Sequence, residues 1–170
     1  MSIYTRNGDG GTTTLYKNVW VDKDDPGIDV CGNIDELSAS LGVVRAEKLP
    51  EQFETILFRI QRELIVFCAE IVSDSITISP EHVRQLESDI DQIYSDLPPL
   101  AKFMIPGNNR LSALLHLSRT VCRRAERSLT TLCRTETKSL HITAYLNRLS
   151  DLLFVMARKA SEETTVLLSS

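Results

Sequence analysis

Seven apolar side chains, Phe53, Ile56, Leu57, Ile60, Leu64, Phe67 and Ile71, fall at i, i+3, i+4, i+7, i+11, i+14 and i+18. That spacing places all of them on one face of a helix about five turns long. Such a helix is stable only when other elements cover its apolar face. The rest of the chain predicts more helices. Leu37, Leu41 and Val44 make an i, i+4, i+7 stripe in the segment from Asp35 to Glu47. Ser79-Pro80-Glu81 reads as a cap followed by Pro at the first helical position, and that helix ends before Pro98-Pro99. A fourth helix opens after Pro106-Gly107, with Asn108 as its expected cap, and runs to about Cys133. The fifth covers about Ser139 to Glu163, with Leu146, Leu149, Leu153, Met156 and Ala160 facing inward. The expectation is an all-α protein from about residue 29 onward: an antiparallel five-helix bundle with minimal β-structure.

The first thirty residues differ. Gly8, Gly10 and Gly11 interleave with Asp9 and three threonines, and Lys23-Asp-Asp-Pro26 marks a turn. This segment is too glycine-rich and polar for a helix and reads as extended or loop backbone. The organisation expected is a single domain over residues 1–170, with an N-terminal loop over 1–28 and a helical bundle over 29–165.

Composition narrows the function classes. A net charge of -4 argues against nucleic acid as the main partner. No apolar signal core opens the chain and no run reaches the ~18 apolar residues of a membrane span, so a cytoplasmic location is expected. Cys31, Cys68, Cys122 and Cys133 sit singly, without a C-x-x-C pair, and Cys68 and Cys122 fall in apolar periodic segments as small buried hydrophobes. His82, His116 and His141 lack the spacing of zinc or di-iron sites, so metal ligation by protein side chains is not expected.

Two constellations could carry chemistry. His116, Arg119, Arg123 and Glu126 fall at i, i+3, i+7 and i+10, one charged stripe beside an apolar core. Converging charges of this kind suit a polyphosphate; a solvated face with local ion pairs fits the spacing equally well. The segment Tyr4-Thr-Arg-Asn-Gly-Asp-Gly-Gly-Thr-Thr13 offers backbone N–H groups, hydroxyls and one arginine that can wrap phosphate oxygens, or it is a plain mobile loop. It is not a Walker A loop, since no Gly-Lys-Ser/Thr follows. Lys23 could add a point charge. Asp35, read as lying near the start of the first helix, could pair with an arginine or only complement the helix dipole beside Glu36. Asn147, Asp151, Phe154 and Arg158 form a second polar stripe on the fifth helix.

Taken in order, four blocks resemble the PduO-type ATP:cob(I)alamin (corrinoid) adenosyltransferases. They are Tyr4 to Thr13; Lys23-Asp-Asp-Pro26 leading to Gly32-Asn-Ile-Asp-Glu-Leu37; Phe103-Met-Ile-Pro-Gly107 leading to Arg119-Thr-Val-Cys-Arg-Arg-Ala-Glu-Arg127; and Asn147-Arg-Leu-Ser-Asp151. The similarity runs from Tyr4 to about Arg158, and four ordered blocks are far more specific than any one.

The resemblance implies transfer of the 5′-deoxyadenosyl group of ATP to the Co(I) of a reduced corrinoid such as cobalamin, with release of triphosphate. It implies a homotrimer with sites between subunits, Mg2+ carried by the ATP phosphates, a separate corrinoid reductase, and an adenosylcobalamin-dependent enzyme that receives the product. It is compatible with residence in a bacterial microcompartment. Nucleotide contacts are implied for Thr5, Arg6, Asn7, Gly8, Asp9, Gly10, Gly11, Thr12 and Thr13, and for Lys23, Arg123, Arg124, Glu126, Arg127 and Asn147. Arg119 and Asp35 match a salt bridge across the subunit interface. Phe103 matches an aromatic that blocks the lower axial face of the corrinoid, and His116 is assigned to the corrinoid side. Together with Arg123, the residues Arg119, Asp35 and Phe103 form the implied catalytic set. The chain departs from the family pattern at Gly27, Ser38, Asn108-Asn109 and Leu15-Tyr-Lys-Asn18. A non-catalytic ATP or corrinoid sensor of the same fold is the alternative, and a helical scaffold binding nucleic acid through its arginines is a third reading.

Overall fold

The computed structural model describes residues 3–15, 18–73, 77–100 and 104–161. Five helices dominate them: α1 (Pro26–Arg45), α2 (Glu51–Ile71), α3 (Pro80–Tyr94), α4 (Arg110–Leu132) and α5 (Leu140–Ala160). They are preceded by two short strands, β1 (Thr12–Thr14) and β2 (Trp20–Asp22), paired antiparallel with Thr13 opposite Val21. The expected five-helix bundle and its scarcity of β-structure are both present. The hairpin was hidden in the sequence because three consecutive threonines suit a strand and a polar loop alike.

Two helix starts differ from expectation. The first helix begins at Pro26, with the Asp25 carboxylate accepting from the Gly27 N–H at 2.8 Å. Asp-Pro, read as a turn, is here a cap followed by Pro at the first helical position. Asp35 therefore lies in the middle of α1, and Asp29 occupies the first turn. A dipole role for Asp35 is excluded by that placement. The α4 cap is Asn109, not Asn108: its Oδ1 accepts from the Ser112 N–H at 2.8 Å. Its Nδ2 also donates to the Ala160 carbonyl at 2.5 Å, so one side chain ties the start of α4 to the end of α5. The expected α3 cap Ser79 is in place, and Ser139, the expected start of the fifth helix, stands just outside it as the cap of α5.

Residue pairings set the helix directions. Glu36 with Arg124 and Asn33 with Ser128 run α1 antiparallel to α4. Cys122 donates to the Leu146 carbonyl and Asn109 reaches Ala160, which runs α4 antiparallel to α5. Consecutive helices alternate in direction, whereas α3 and α5 are parallel neighbours, joined through Glu87 to Arg148 and Asp96 to Lys159. Side by side the order is α2, α1, α4, α5, α3, and α2 meets α5 again through Phe67 and Tyr145.

The core is continuous through all five helices. Leu37, Leu41 and Val44 of α1, the α2 stripe from Phe53 to Ile71, and Leu146, Leu149, Leu153 and Met156 of α5 are buried as expected. Truncating one of these to Ala typically costs about 2–5 kcal/mol. Tyr145 is wholly buried and its hydroxyl donates to Glu63 at 2.7 Å, so the polar tip of the largest core side chain is satisfied. Burial, with the Glu63 carboxylate adding to it, pushes that hydroxyl's pKa well up. Arg59 bridges Glu63 to Asp89 of α3.

Candidate active site

Alternation of direction brings the ends of the helices into two groups. The N-terminus of α1, the C-terminus of α4 and the N-terminus of α5 share one end of the bundle. The hairpin feeds α1 at that end, so the glycine-rich segment enters there too.

The segment is a compact sequence of turns. The Asp9 N–H donates to the Arg6 carbonyl at 3.3 Å, Gly11 donates to Gly8 at 3.2 Å, and Lys23 donates to Gly11 at 2.9 Å. Gly11 has φ +89°, a conformation that a side chain disfavours, while Arg6 adopts φ 63° and lies over the Tyr4 ring. The side chain of Lys23 folds back over the loop. A Cβ added at Gly8 would stand 3.2 Å from Lys23 Nζ and 3.2 Å from the Thr12 carbonyl oxygen. Gly8 thus permits a close approach of an ammonium to a turn, and Gly10, with open space around it, does not serve that purpose.

On α4 and α5 the two polar stripes meet. Asn147 donates to Glu126 at 3.0 Å and accepts from Arg148 at 2.6 Å. The amide is thereby fixed by neighbours on both sides, and Glu126 is held on the α5 side of α4. Arg123 is exposed one turn earlier, and Arg127 donates to its carbonyl at 3.0 Å. Asp151 completes the group. Loss of solvent around it, with the Glu126 carboxylate adding to the effect, pushes its carboxyl up against the pull of Arg148 and Arg123. Asp151 belongs to the predicted α5 stripe but not to the implied site; its one-turn spacing from Asn147 is the signal in the sequence.

Arg124 lies about 100° around the helix from Arg123 and pairs with Glu36 of α1, outside this group. Arg158, the last member of the α5 stripe, is buried at 6 % exposure and donates to the Pro98 carbonyl at 2.6 Å. It closes the far end of the bundle.

Arg119 and His116 differ from their neighbours. The Nε of Arg119 and both ring nitrogens of His116 are buried without a hydrogen-bond partner among the described residues. His116 packs its ring against Phe154 at 6.0 Å between centroids. Burial, reinforced by the Arg119 charge, lowers its pKa, so the ring is held neutral. An unpartnered buried polar group costs about 1–3 kcal/mol. Asp35 is exposed and forms no ion pair among the described residues. Phe103 lies outside the described residues, as do Tyr16 and Lys17.

A family model described as cobalamin adenosyltransferase matches residues 3–160. The chain belongs to that family. It is 43% identical over 170 residues to the corrinoid adenosyltransferase of Citrobacter freundii, with 96% of each chain covered. It is 39% identical over 165 residues to the corrinoid adenosyltransferase PduO of Salmonella typhimurium, of which it spans 49%. A solved structure of a phenylalanine-to-alanine variant of a PduO-type ATP:corrinoid adenosyltransferase from Lactobacillus reuteri, complexed with cobalamin and ATP, superposes with a TM-score of 0.89 at 30% identity. That match covers 99% of this chain and 100% of that one. An arginine-to-lysine variant of the Lactobacillus protein, complexed with ATP, matches with the same TM-score over 98% of this chain. The resemblance drawn from four sequence blocks thus extends to the whole described fold.

Proposed function

We propose that this protein transfers the 5′-deoxyadenosyl group of ATP to the Co(I) of a reduced corrinoid, giving adenosylcobalamin and triphosphate. Family membership over residues 3–160 supports the reaction class. Within the chain, the observation that carries the reading is the Lys23 ammonium folded over the Gly8 turn. It sets a cation against a glycine-rich turn, the combination of positive charge and close backbone approach that a triphosphate leaving group requires.

In this reading Co(I) attacks the 5′ carbon and triphosphate departs, so the protein supplies no nucleophile of its own. It orients two substrates in line and stabilises charge on the leaving group. Lys23, Arg123 and the turns from Thr5 to Thr13 meet the phosphates, joined by Arg127. Glu126 and Asn147, locked to each other at 3.0 Å, form a rigid polar edge for the nucleoside. Arg124, committed to Glu36, acts from outside that group. Among the described residues no group of three His, Cys, Asp or Glu side chains is placed to hold a metal. Magnesium enters this reading as an ion carried on the phosphates, where it would neutralise their charge.

The sites are assigned to the interfaces of a homotrimer. Arg119, whose Nε has no partner among the described residues, and the exposed Asp35 fit a salt bridge between neighbours. His116 and Phe103 are assigned to the corrinoid side. A separate reductase supplies the electron for Co(I), and an adenosylcobalamin-dependent enzyme takes the product. No helix among the described residues is long and apolar enough to cross a membrane; a cytoplasmic location, with a microcompartment as a variant of it, completes the proposal.

The test is anaerobic: cob(I)alamin, Mg-ATP and protein, followed by the spectral change to adenosylcobalamin. Conversion that needs ATP and protein, and is lost in Arg123→Ala, is expected. Binding of both substrates without conversion would instead make the protein a sensor or carrier. Phe103→Ala should slow turnover from cob(II)alamin far more than it weakens ATP binding, and equal losses would remove that assignment.

A further inference from the structure

α1 and α2 pack in an antiparallel seam whose facing positions recur every seven residues. Arg45 pairs with Glu54, the Gln61 amide donates to the Ser38 carbonyl at 2.8 Å, and Cys31 Sγ stands 4.0 Å from the Cys68 carbonyl oxygen. Positions 45, 38 and 31 thus meet 54, 61 and 68 in one register. The register puts the two cysteines directly opposite each other, although neither belongs to a motif visible in the sequence. The helices remain close beyond them. Gly27, one turn before Cys31, is buried, and a Cβ there would lie 3.8 Å from Ile71. Both cysteines are free thiols on half-buried residues.

The two thiols are not equivalent. Lys138 donates to the Ile71 carbonyl at 3.0 Å, which sets a positive charge at this end of the seam. A hydrogen bond from Cys68, helped by Lys138, lowers the pKa of Cys31 against the effect of burial. The bond to Cys31 and burial drive Cys68 far up. A lowered pKa makes an attacking sulfur, and a raised one makes a thiol that reacts only when its partner is already oxidised.

We propose that Cys31 and Cys68 form a thiol–disulfide exchange site that a low-molecular-weight disulfide converts to a covalent α1–α2 bridge. Cys31 releases its proton to solvent and attacks one sulfur of the small disulfide, which expels one thiolate and leaves a mixed disulfide on Cys31. Cys68 then loses its proton, attacks Cys31 Sγ and expels the second thiolate. Two protein thiols are oxidised and one disulfide is reduced to two thiols. The site does not depend on the adenosyl-transfer reading. It touches that reading at one point, because Asp35 follows Cys31 by one helical turn and the bridge would fix the segment that carries it.

The experiment uses the full chain, treated with oxidised glutathione, alkylated and digested with trypsin. The expected product links peptide 24–45 to peptide 63–84, each holding one cysteine, and a reductant reverses it. Cys68→Ser should trap glutathione on Cys31, while Cys31→Ser should leave Cys68 unmodified. Mixed isotope-labelled and unlabelled chains should give no hybrid linkage. Free thiols at both positions after treatment, a link to Cys122 or Cys133, hybrid linkage between chains, or equal glutathione on the two single variants would overturn the proposal.

Discussion

Replacing Gly8 by Ala probes the phosphate loop with the smallest perturbation available. The new Cβ would meet Lys23 Nζ at 3.2 Å and the Thr12 carbonyl oxygen at 3.2 Å, both tighter than comfortable packing. Thr12 is paired with Asp22 in the hairpin, so its carbonyl resists displacement. The Lys23 tip is the softer partner and must swing away from the turn. A full hydrogen bond to a charged group is worth about 1.5–3 kcal/mol, and a displaced but still flexible ammonium forfeits part of it. We take the loss as about 1 kcal/mol, which predicts kcat/KM for Mg-ATP lowered about fivefold, with part of the loss in kcat because the same ammonium meets the charge that develops on the leaving triphosphate. Gly10→Ala is the matched control, since nothing lies within 4 Å of its added Cβ, and its kcat/KM should stay within about 1.5-fold of the parent. Initial rates at saturating cob(I)alamin, with thermal melts alongside, give the answer. Equal kcat/KM values for the two variants, or a Gly8→Ala effect confined to the melting temperature, would refute the loop argument.

Other perturbations read other parts of the structure. Arg119→Asp and Asp35→Arg should each lower activity at least tenfold, and the double exchange should recover part of it if the pair spans two subunits; a monomer with full activity would contradict the interface. Asn109→Ala removes the α4 cap and the bond to Ala160 together. Its cost of about 2 kcal/mol should lower Tm by roughly 4–8 °C in a calorimetric scan. His116 is held neutral in the fold, so its folded pKa lies below the unfolded value of about 6.5. The unfolded chain then binds the extra proton first, and stability is present above pH ~6.5 and falls as pH drops through the folded value. His116→Phe should flatten the decline of Tm below about pH 6.5, and an unchanged slope would place the titration elsewhere.

The helices and their buried faces were legible because burial imposes a period of 3.6 on the sequence. Phe53 to Ile71 and Leu146 to Met156 needed no further information. Helix starts were less legible: Asp25-Pro26 serves equally as a turn or a cap, and adjacent asparagines at 108 and 109 offer the same cap chemistry in two registers. Stripes on α4 and α5 could be drawn from spacing alone. Their joining, through Glu126 and Asn147 twenty-one residues apart, required the packing of two helices. The same packing removed Arg124 and Arg158 from the group, since a charge on a helix turns to whichever partner the neighbouring helix presents. The approach of Lys23 to Gly8 depends on a hairpin built from polar residues, for which no apolar pattern exists to read.

The central claim is transfer of carbon from ATP to cobalt, and isotopic labelling tests it most directly. ATP carrying 13C at the 5′ carbon would be reacted anaerobically with cob(I)alamin and the protein, with the products analysed by NMR. The account predicts the label on the carbon bonded to cobalt and one intact triphosphate for each adenosylcobalamin formed. Label remaining in ATP or ADP, or release of phosphate or pyrophosphate without a cobalt–carbon bond, would contradict it.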